Sequence, residues 1–573
     1  MPATSTFSSD PLPSFFTPVS TEVLLEIVSF SDLETLCQLR ATSRLWTVLV
    51  AEYEQANPSF TALVEPMPAL PAQAKRLCRA TPSVGFLFNQ MRSSPTEVAQ
   101  MLSHLPPRCQ VIGGDSQYPF TGADKRIVQG NTYAQDAILN LLSLPEACAQ
   151  TFTVQNSDLE AVTVAPCERE GRRWLREDIL GLSPSIEYKV MVVLPGQRAD
   201  NVELLLKALQ EGSPSAAIVG GIFARNLFCW KDGALRRPGG EGGNAEDGIV
   251  GMALWGNVPL QAVVSRGVVP CSPSFTVSSW EYEGEAVVVK SLSRPASGDA
   301  RLDSAPDVVV NPLVAFEHAQ RNGDIYVGLQ IEDSAVPVNG GVDGGGAGHD
   351  SGVPGSAFKS RPPPYELLSF VFAVDEGAPV LLLSFVNKLQ GGPPPNARLT
   401  VKFFDLKTQS AQAHVQKKMR AVAEELRRNG QDVLGALLFS CNGRGPRRFL
   451  DARSTHVDAS AFTAEFPGRQ VGGMYAMGEI GPQATYVDEE EEDDEIAGTD
   501  AGMVVKNGKG LGAGGSQILR NSQSGSCALQ GFTAVFALLV APRRSSQSSH
   551  LLDILNKDGL SAAIRLVLGP GAK

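Results

Sequence analysis

The residues best equipped for chemistry are Ser440, Cys441, Asn442 and Arg444, set among the glycines of the stretch GALLFSCNGRG, Gly435 to Gly445. A thiol, a carboxamide and a guanidinium this close together offer a nucleophile, a neutral donor and acceptor, and a fixed cation at one place. The apolar run Ala436 to Phe439 predicts a buried strand that stops abruptly in this polar tip. Strand ends of this kind commonly hold ligands, and a tight turn that needs small residues has the same composition. Nucleophilic use of Cys441 requires a base. The histidines, His104, His318, His349, His414, His456 and His550, lie in no nucleophile or metal-ligand motif, His456 being the nearest to Cys441 in sequence. The expectation is no catalytic residue, no metal and no cofactor. Gly340 to Asp350, GGVDGGGAGHD, lacks the lysine of a phosphate-binding loop and reads as linker.

The elements that must position the tip are mixed α and β. Gln409 to Arg428 reads as an amphipathic helix, with Val415, Met419, Val422 and Leu426 on one stripe and Asn429–Gly430 as its stop, so a helix feeds the buried strand. Earlier in the chain, strand-like Ser83 to Phe88, helix-like Thr96 to Ser103 and strand-like Cys109 to Ser116 are followed by Tyr188 to Gly196, Asn201 to Leu209 and Ala216 to Asn226. Strand, helix, strand and a Gly-Gly turn occur twice, which predicts a repeated α/β unit. The segments Gly248 to Gly256, Pro259 to Glu281 and Glu285 to Leu292 predict an antiparallel meander. Leu367 to Val374, Val380 to Phe385, Leu399 to Leu406 and Gln470 to Pro482 continue the alternation, and Cys527 to Val540 is expected as a closing strand. Ser293 to Asp307, Asn339 to Gly355, Gly391 to Asn396 and Asp488 to Ser526 are low-complexity tracts, expected as surface insertions. Leu551 to Leu568 has helical spacing.

A chain of 573 residues exceeds what one core supports, and 43% apolar with 19% charged residues is a soluble globular composition. The formal charge of -12 owes most to the eight consecutive acids Asp488 to Glu495; without them -4 remains, and no basic footprint for nucleic acid is present. Cys37, Cys78, Cys109, Cys148, Cys167, Cys229, Cys271, Cys441 and Cys527 are scattered singly, against a disulfide framework and for a reducing compartment. The opening residues carry Asp10 and no Lys or Arg before Arg40, unlike a secretory signal or transit peptide. No apolar run approaches the roughly 18 to 20 residues of a membrane helix. A cytoplasmic or nuclear location is expected, with no nucleic acid and no membrane as partner.

Thr21 to Glu52 shows three short helical patterns, with apolar residues at Val23, Leu24, Ile27 and Val28, at Leu33, Leu36 and Leu39, and at Leu45, Trp46 and Leu49. With Glu22 before the aliphatic pair, Asp32–Leu33 at the second helix and Arg44-Leu45-Trp46 at the third, this stretch resembles an F-box. The usual Leu-Pro is replaced by Val19–Ser20, with Pro18 displaced upstream, and Ser20 can still cap the first helix. The resemblance implies docking on a Skp1-type adaptor, and through it a cullin-RING ubiquitin ligase, by Val23, Leu24, Ile27, Val28, Leu33, Leu36, Leu39 and Trp46.

Ser265 to Pro273, GALLFSCNGRG, and Gly473 to Pro482 followed by Leu529 to Leu539 are similar to the landmarks of FIST domains, an N-terminal and a C-terminal part. The order of F-box and FIST parts is similar to that of the animal F-box-only proteins that carry FIST domains. The implied architecture is a lead-in at 1–16, a three-helix F-box at 17–56, and a large two-part α/β FIST body. That body comprises an N-terminal domain at 81–292, a C-terminal domain at 308–540 with insertions at 339–362 and 488–526, and a helical tail at 541–573. The implied function is a non-catalytic substrate receptor of a ubiquitin ligase, directing an unidentified protein target to proteasomal degradation. A small-ligand sensor, in which the FIST region takes an amino-acid-like molecule, is the alternative. The positions carried over are Arg266, Cys441, Asn442, Arg444 and Glu479, together with Gly478 and Gly481. Arg444 would meet a carboxylate and Glu479 an ammonium, or the two would pair with each other and pin two turns.

If the N-terminal helices dock as an F-box does, Skp1 co-purifies with the full chain and is lost on the double substitution Leu24→Asp and Ile27→Asp. Each deeply buried aliphatic side chain contributes about 1.5 to 3 kcal/mol to such a contact. Retention of Skp1 by the folded double variant overturns the assignment.

Overall fold

The computed structural model describes residues 58–542 except 79–80, 90–93, 117, 124–125, 130–135, 166, 240–247, 284–285, 295–307, 320–323, 333–365, 376–377, 385–396, 407, 446–455, 483–526 and 531–532. The lead-in, the F-box segment 17–56, most of the proposed insertions and all but the first two residues of the tail 541–573 lie outside the described residues.

The described chain is strand-rich and mixed α/β, and most of it is one unit used three times. The first copy runs β1 (Ser59–Pro66), α1 (Leu70–Leu77), β2 (Val84–Asn89), α2 (Pro95–Leu102), β3 (Gln110–Asp115), the hairpin β4 (Tyr118–Ala123) and β5 (Arg126–Gln129), then β6 (Asp136–Ser143). The second runs β7 (Ala147–Gln155), α3 (Asn156–Thr163), α4 (Glu168–Trp174), β8 (Tyr188–Pro195), α5 (Val202–Gly212), β9 (Ala217–Gly221), the hairpin β10 (Arg225–Lys231) and β11 (Ala234–Arg236), then β12 (Gly248–Gly256).

The third copy opens with β13 (Leu260–Arg266) and is then interrupted. The interruption holds β14 (Val269–Pro270), β15 (Phe275–Glu283), β16 (Ala286–Arg294), β17 (Val308–Val310), α6 (Pro312–Ala319), β18 (Asp324–Glu332), β19 (Glu366–Asp375), β20 (Ala378–Ser384) and β21 (Arg398–Leu406). Strands β15, β16, β20, β19, β18 and β21 pair in that order, and β21 pairs back to β15, so they close into an antiparallel barrel. Its core includes Phe275, Val289, Leu329, Leu383, Val401 and Phe403. The third copy resumes with α7 (Thr408–Arg428), β22 (Gln431–Cys441), α8 (Val457–Glu465), β23 (Gln470–Ala476), the hairpin β24 (Glu479–Pro482) and β25 (Cys527–Gln530), and β26 (Thr533–Pro542).

The three repeats build three sheets of identical design, β1-β6-β2-β3-β10-β11, β7-β12-β8-β9-β24-β25 and β13-β26-β22-β23-β4-β5. In each, the two central strands joined by a crossover helix are parallel, as β-α-β geometry requires, and every other pairing is antiparallel. Each hairpin leaves its own repeat to complete the sheet of another, in a cycle: the first repeat's joins the third, the third's joins the second, and the second's joins the first. The inner faces of all three sheets share one core, with Phe86, Phe88, Val192, Leu194, Leu437, Phe439, Met252 and Ala537 in it. Phe88 and Phe439, which hold equivalent places in the first and third repeats, meet there with ring centroids 6.3 Å apart. Each outer face has its own core under its own helices: α1 and α2 on the first sheet, α3 to α5 on the second, α7 and α8 on the third.

Several sequence expectations change on this fold. The Gly-Gly unit occurs three times, the third copy being Gly472-Gly473 in β23. The meander does not form: β12 lies in the second sheet, β13 in the third, and β15–β16 in the barrel. Cys527 to Val540 is two strands in different sheets, β25 and β26. Periodicity cannot show this, because each strand has the apolar texture of a buried strand whichever sheet receives it. Among the described residues no helix is long and apolar enough to cross a membrane.

Gly113, Gly220 and Gly473 are equivalent, each opposite the parallel neighbour strand. A methyl group there would sit 2.0, 1.8 and 1.9 Å from the carbonyl oxygens of Leu87, Val193 and Leu438. Backbone cannot move aside as a side-chain tip can, so Gly473→Ala is expected to destabilise the protein by about 3 kcal/mol. Gly233→Ala, with no atom within 4 Å and a φ of +77°, serves as a control costing about 1 kcal/mol. Urea unfolding of the two variants against the parent checks the difference.

Candidate functional site

The polar tip singled out in the sequence lies where the parallel strands β22 and β23 end. Alternation along β22 points Phe439 into the shared core and Ser440 outward toward α8. Ser440 donates its hydroxyl proton to Asp458 Oδ2 at 2.7 Å. Asp458 is the second residue of α8 and is itself buried. Arg444, in the single turn after β22, is completely buried; its Nε donates to Asp458 Oδ2 at 3.0 Å and its second amino group to Oδ1, a two-pronged ion pair. Burial alone would pull the guanidinium's pKa down, and the carboxylate of Asp458 more than reverses that.

Two histidines flank this pair. His456 immediately precedes α8 without its side chain capping it, and its Nδ1 lies 3.0 Å from the Tyr475 hydroxyl. Burial lowers His456 to about 4, while burial and the nearby Asp458 raise Tyr475 well above its ordinary value, so a neutral imidazole faces an intact phenol. His414, on α7, has its Nδ1 3.0 Å from Ser265 Oγ on β13. Burial first, then Arg266, Arg444, Lys418 and Lys417, push it down to about 3. A base that weak cannot usefully deprotonate a hydroxyl near neutrality.

Glu479, at the start of β24, is also completely buried. Its Oε2 accepts from the backbone N–H of Thr533 at 3.2 Å and from the Thr533 hydroxyl at 3.0 Å. Its Oε1 has no hydrogen-bond partner among the described residues. Burial pushes Glu479 up to about 8 against the lowering effects of Thr533, Cys441 and Arg444, so it carries a proton at neutral pH.

The structure thus brings Cys441, Arg444 and Glu479 into one electrostatic neighbourhood, with Asn442 in the same turn. Arg266 ends β13 directly opposite Thr533. The expected pairing of Arg444 with Glu479 is corrected: Arg444 takes Asp458, and Glu479 feels it only through its charge. The fork is therefore committed to an internal carboxylate and is not presented to a ligand's. Asp458 and His414 lie in no motif, and Ser265, Tyr475 and Thr533, though inside the quoted landmarks, are not singled out by sequence reasoning, because the elements that bring the five together are far apart in the chain. Among the described residues no group of His, Cys, Asp and Glu is placed to hold a metal.

Glu479 gives the site a pH signature. Its folded pKa is above the unfolded one, so its contribution to stability is fully present below about 4.5 and is lost as pH rises through about 8. His414 and His456, with depressed values, act the other way, losing stability as pH falls below about 6.5. The parent and Glu479→Gln are therefore expected to diverge as pH rises from 5 to 8.5, the variant losing less stability. Parallel denaturation curves over that range would show that Glu479 does not titrate as described.

No curated protein matches the chain. Residues 83–290 match the family model of the FIST N domain, so a FIST N domain is present from β2 of the first repeat through the second repeat and β13 into β16 of the barrel.

Proposed function

We propose that the chain is a non-catalytic receptor whose three-repeat body binds a small, amino-acid-like ligand at the Glu479 end. The observation that carries this reading is the Glu479 carboxyl: completely buried, raised to about 8, and with Oε1 lacking a partner among the described residues. Burying a carboxyl this way costs stability and is retained at functional sites more often than elsewhere. An ammonium brought to Oε1 would favour the ionised form and release the proton, so binding and deprotonation are coupled. The presence of a FIST N domain agrees with a sensing role. The non-catalytic reading is supported by the weak basicity of the two histidines, which burial pushes down to about 3 at His414 and about 4 at His456, a poor match for activating the Cys441 thiol.

A second role is favoured by the F-box-like residues Val23 to Trp46 in a chain whose C-terminal landmarks also resemble a FIST part. On this reading the chain docks a Skp1-type adaptor, joins a cullin-RING ligase in the cytoplasm or nucleus, and presents a protein target for ubiquitination. Such a receptor accelerates transfer by proximity alone.

A thermal-shift screen of amino acids and related amines tests the ligand reading. A ligand at one hundred times its Kd stabilises by about 2.7 kcal/mol, and calorimetry in two buffers should show proton release on binding. Glu479→Gln is expected to abolish the proton release. No shift with any such compound, on a folded sample, overturns the reading.

A further inference from the structure

A second buried carboxylate lies where the described chain ends. Glu425, in the last turn of α7, is 1% exposed, and neither of its carboxylate oxygens has a hydrogen-bond partner among the described residues. A carboxylate kept in that state is costly unless a cation reaches it.

Two contacts fix the direction in which Glu425 faces. His414, eleven residues earlier and so about three turns back on the same flank of α7, meets Ser265 on β13. Arg420, on another flank, has its Nε 3.5 Å from Glu465 on α8. Glu425 therefore looks toward β13 and away from α8. Strand β13 is the edge of the third sheet and pairs with β26 alone among the described strands. Gln261 lies four residues before Ser265 on the same face of β13, and its Oε1 is likewise buried without a partner among the described residues. Strand β13 is parallel to β22, since both are antiparallel to β26, and α7 runs back against β22 after which only Asn429 and Gly430 intervene. From the contact of His414 with Ser265, three turns of helix advance about 16 Å and four residues of strand about 13 Å. Glu425 and Gln261 are thus neighbours at one end of the sheet.

The chain leaves the described structure at that same end. Pro542, the last residue of β26, is opposite Gln431, three residues beyond the end of α7, and β26 lies between β22 and β13. The next residues are Arg543 and Arg544. A guanidinium has five N–H donors in a fixed fork, enough to serve both oxygens of Glu425 and Gln261 Oε1 together. The other end of the described chain fits less well: it enters through Phe60, which packs in the core on the inner side of the sheets, whereas α7 covers the outer side.

We infer that the outer flank of α7 beside β13 is a docking surface for this chain's own residues 543–573, anchored by Arg543 and Arg544 on Glu425 and Gln261. The anchor tethers the apolar stretch Leu551 to Leu568 beside the edge of β13, an edge of the kind that folded proteins cover. This surface is independent of the Glu479 site.

The test is a double-mutant cycle on the full chain, read by urea unfolding. Arg543→Gln together with Arg544→Gln is expected to lower the folding equilibrium constant at least about tenfold in the parent and less than about threefold in Glu425→Leu. Equal effects in the two backgrounds overturn the inference. Limited trypsin digestion of the native parent provides a measurement that needs no variant to fold. Cleavage after Arg543 and Arg544 is expected to be at least about tenfold slower than in a free peptide of residues 538–550, because a docked segment must open before it is cut. Cleavage as fast as in the peptide overturns the inference.

Discussion

Everything in the body depends on how closely two parallel strands approach at one point in each repeat. At Gly113, Gly220 and Gly473 the neighbouring carbonyl occupies the space a side chain would need. That approach packs the central pair of each sheet tightly enough for Phe88, Leu194 and Phe439, one residue beyond the partners of the glycines, to meet in a common core. The glycines are then neither hinges nor turns. They are the places where three sheets can lean inward without a methyl group between strands.

The repeat also clarifies what the FIST N match contains. It runs from β2 of the first repeat through the second and into the start of the third, but the sheets do not respect that boundary. The hairpin β4–β5, inside the matched region, completes a sheet whose other pairings lie mostly around β22, β23 and β26. Sheets β1-β6-β2-β3 and β7-β12-β8-β9 each receive a hairpin from another repeat. The barrel likewise draws β15 and β16 from before residue 295 and the remaining strands from after 307. Units of sequence and units of structure differ here by the hairpin that each repeat gives to another.

Much of the local structure was legible in the sequence and little of its arrangement. The helix ending at Arg428, the strand Gly248–Gly256 and the first two Gly-Gly units follow from apolar spacing and from glycine stops, which act over a few residues. The third Gly-Gly unit, QVGGM, was visible as letters but not as a repeat, because α8, the helix before it, has weak amphipathicity and was not expected. That same helix carries Asp458, and so the partner of Arg444 was missed. Chemical complementarity, which favours Glu479 as the partner, cannot distinguish two carboxylates without knowing which strand end each occupies. Position decides between them: Asp458 receives the Arg444 fork and the Ser440 hydroxyl, whereas Glu479 receives Thr533 and is pushed up by burial to about 8.

The exchange of hairpins has a consequence for synthesis on the ribosome. Thr121, in the first hairpin, donates to the carbonyl of Val471, a partner 350 residues further along the chain. At about 5 to 20 residues per second, that strand waits roughly 20 to 70 s with its edge unpaired before its neighbour exists. The barrel's strands, by contrast, all find partners within their own stretch of chain and can close while the rest is incomplete. Assembly is therefore expected to begin in the sheet β1-β6-β2-β3-β10-β11, whose strands are all made by residue 236, to continue in the inserted barrel and to finish at β26. During that interval the nascent first repeat is the part of the molecule most in need of a chaperone.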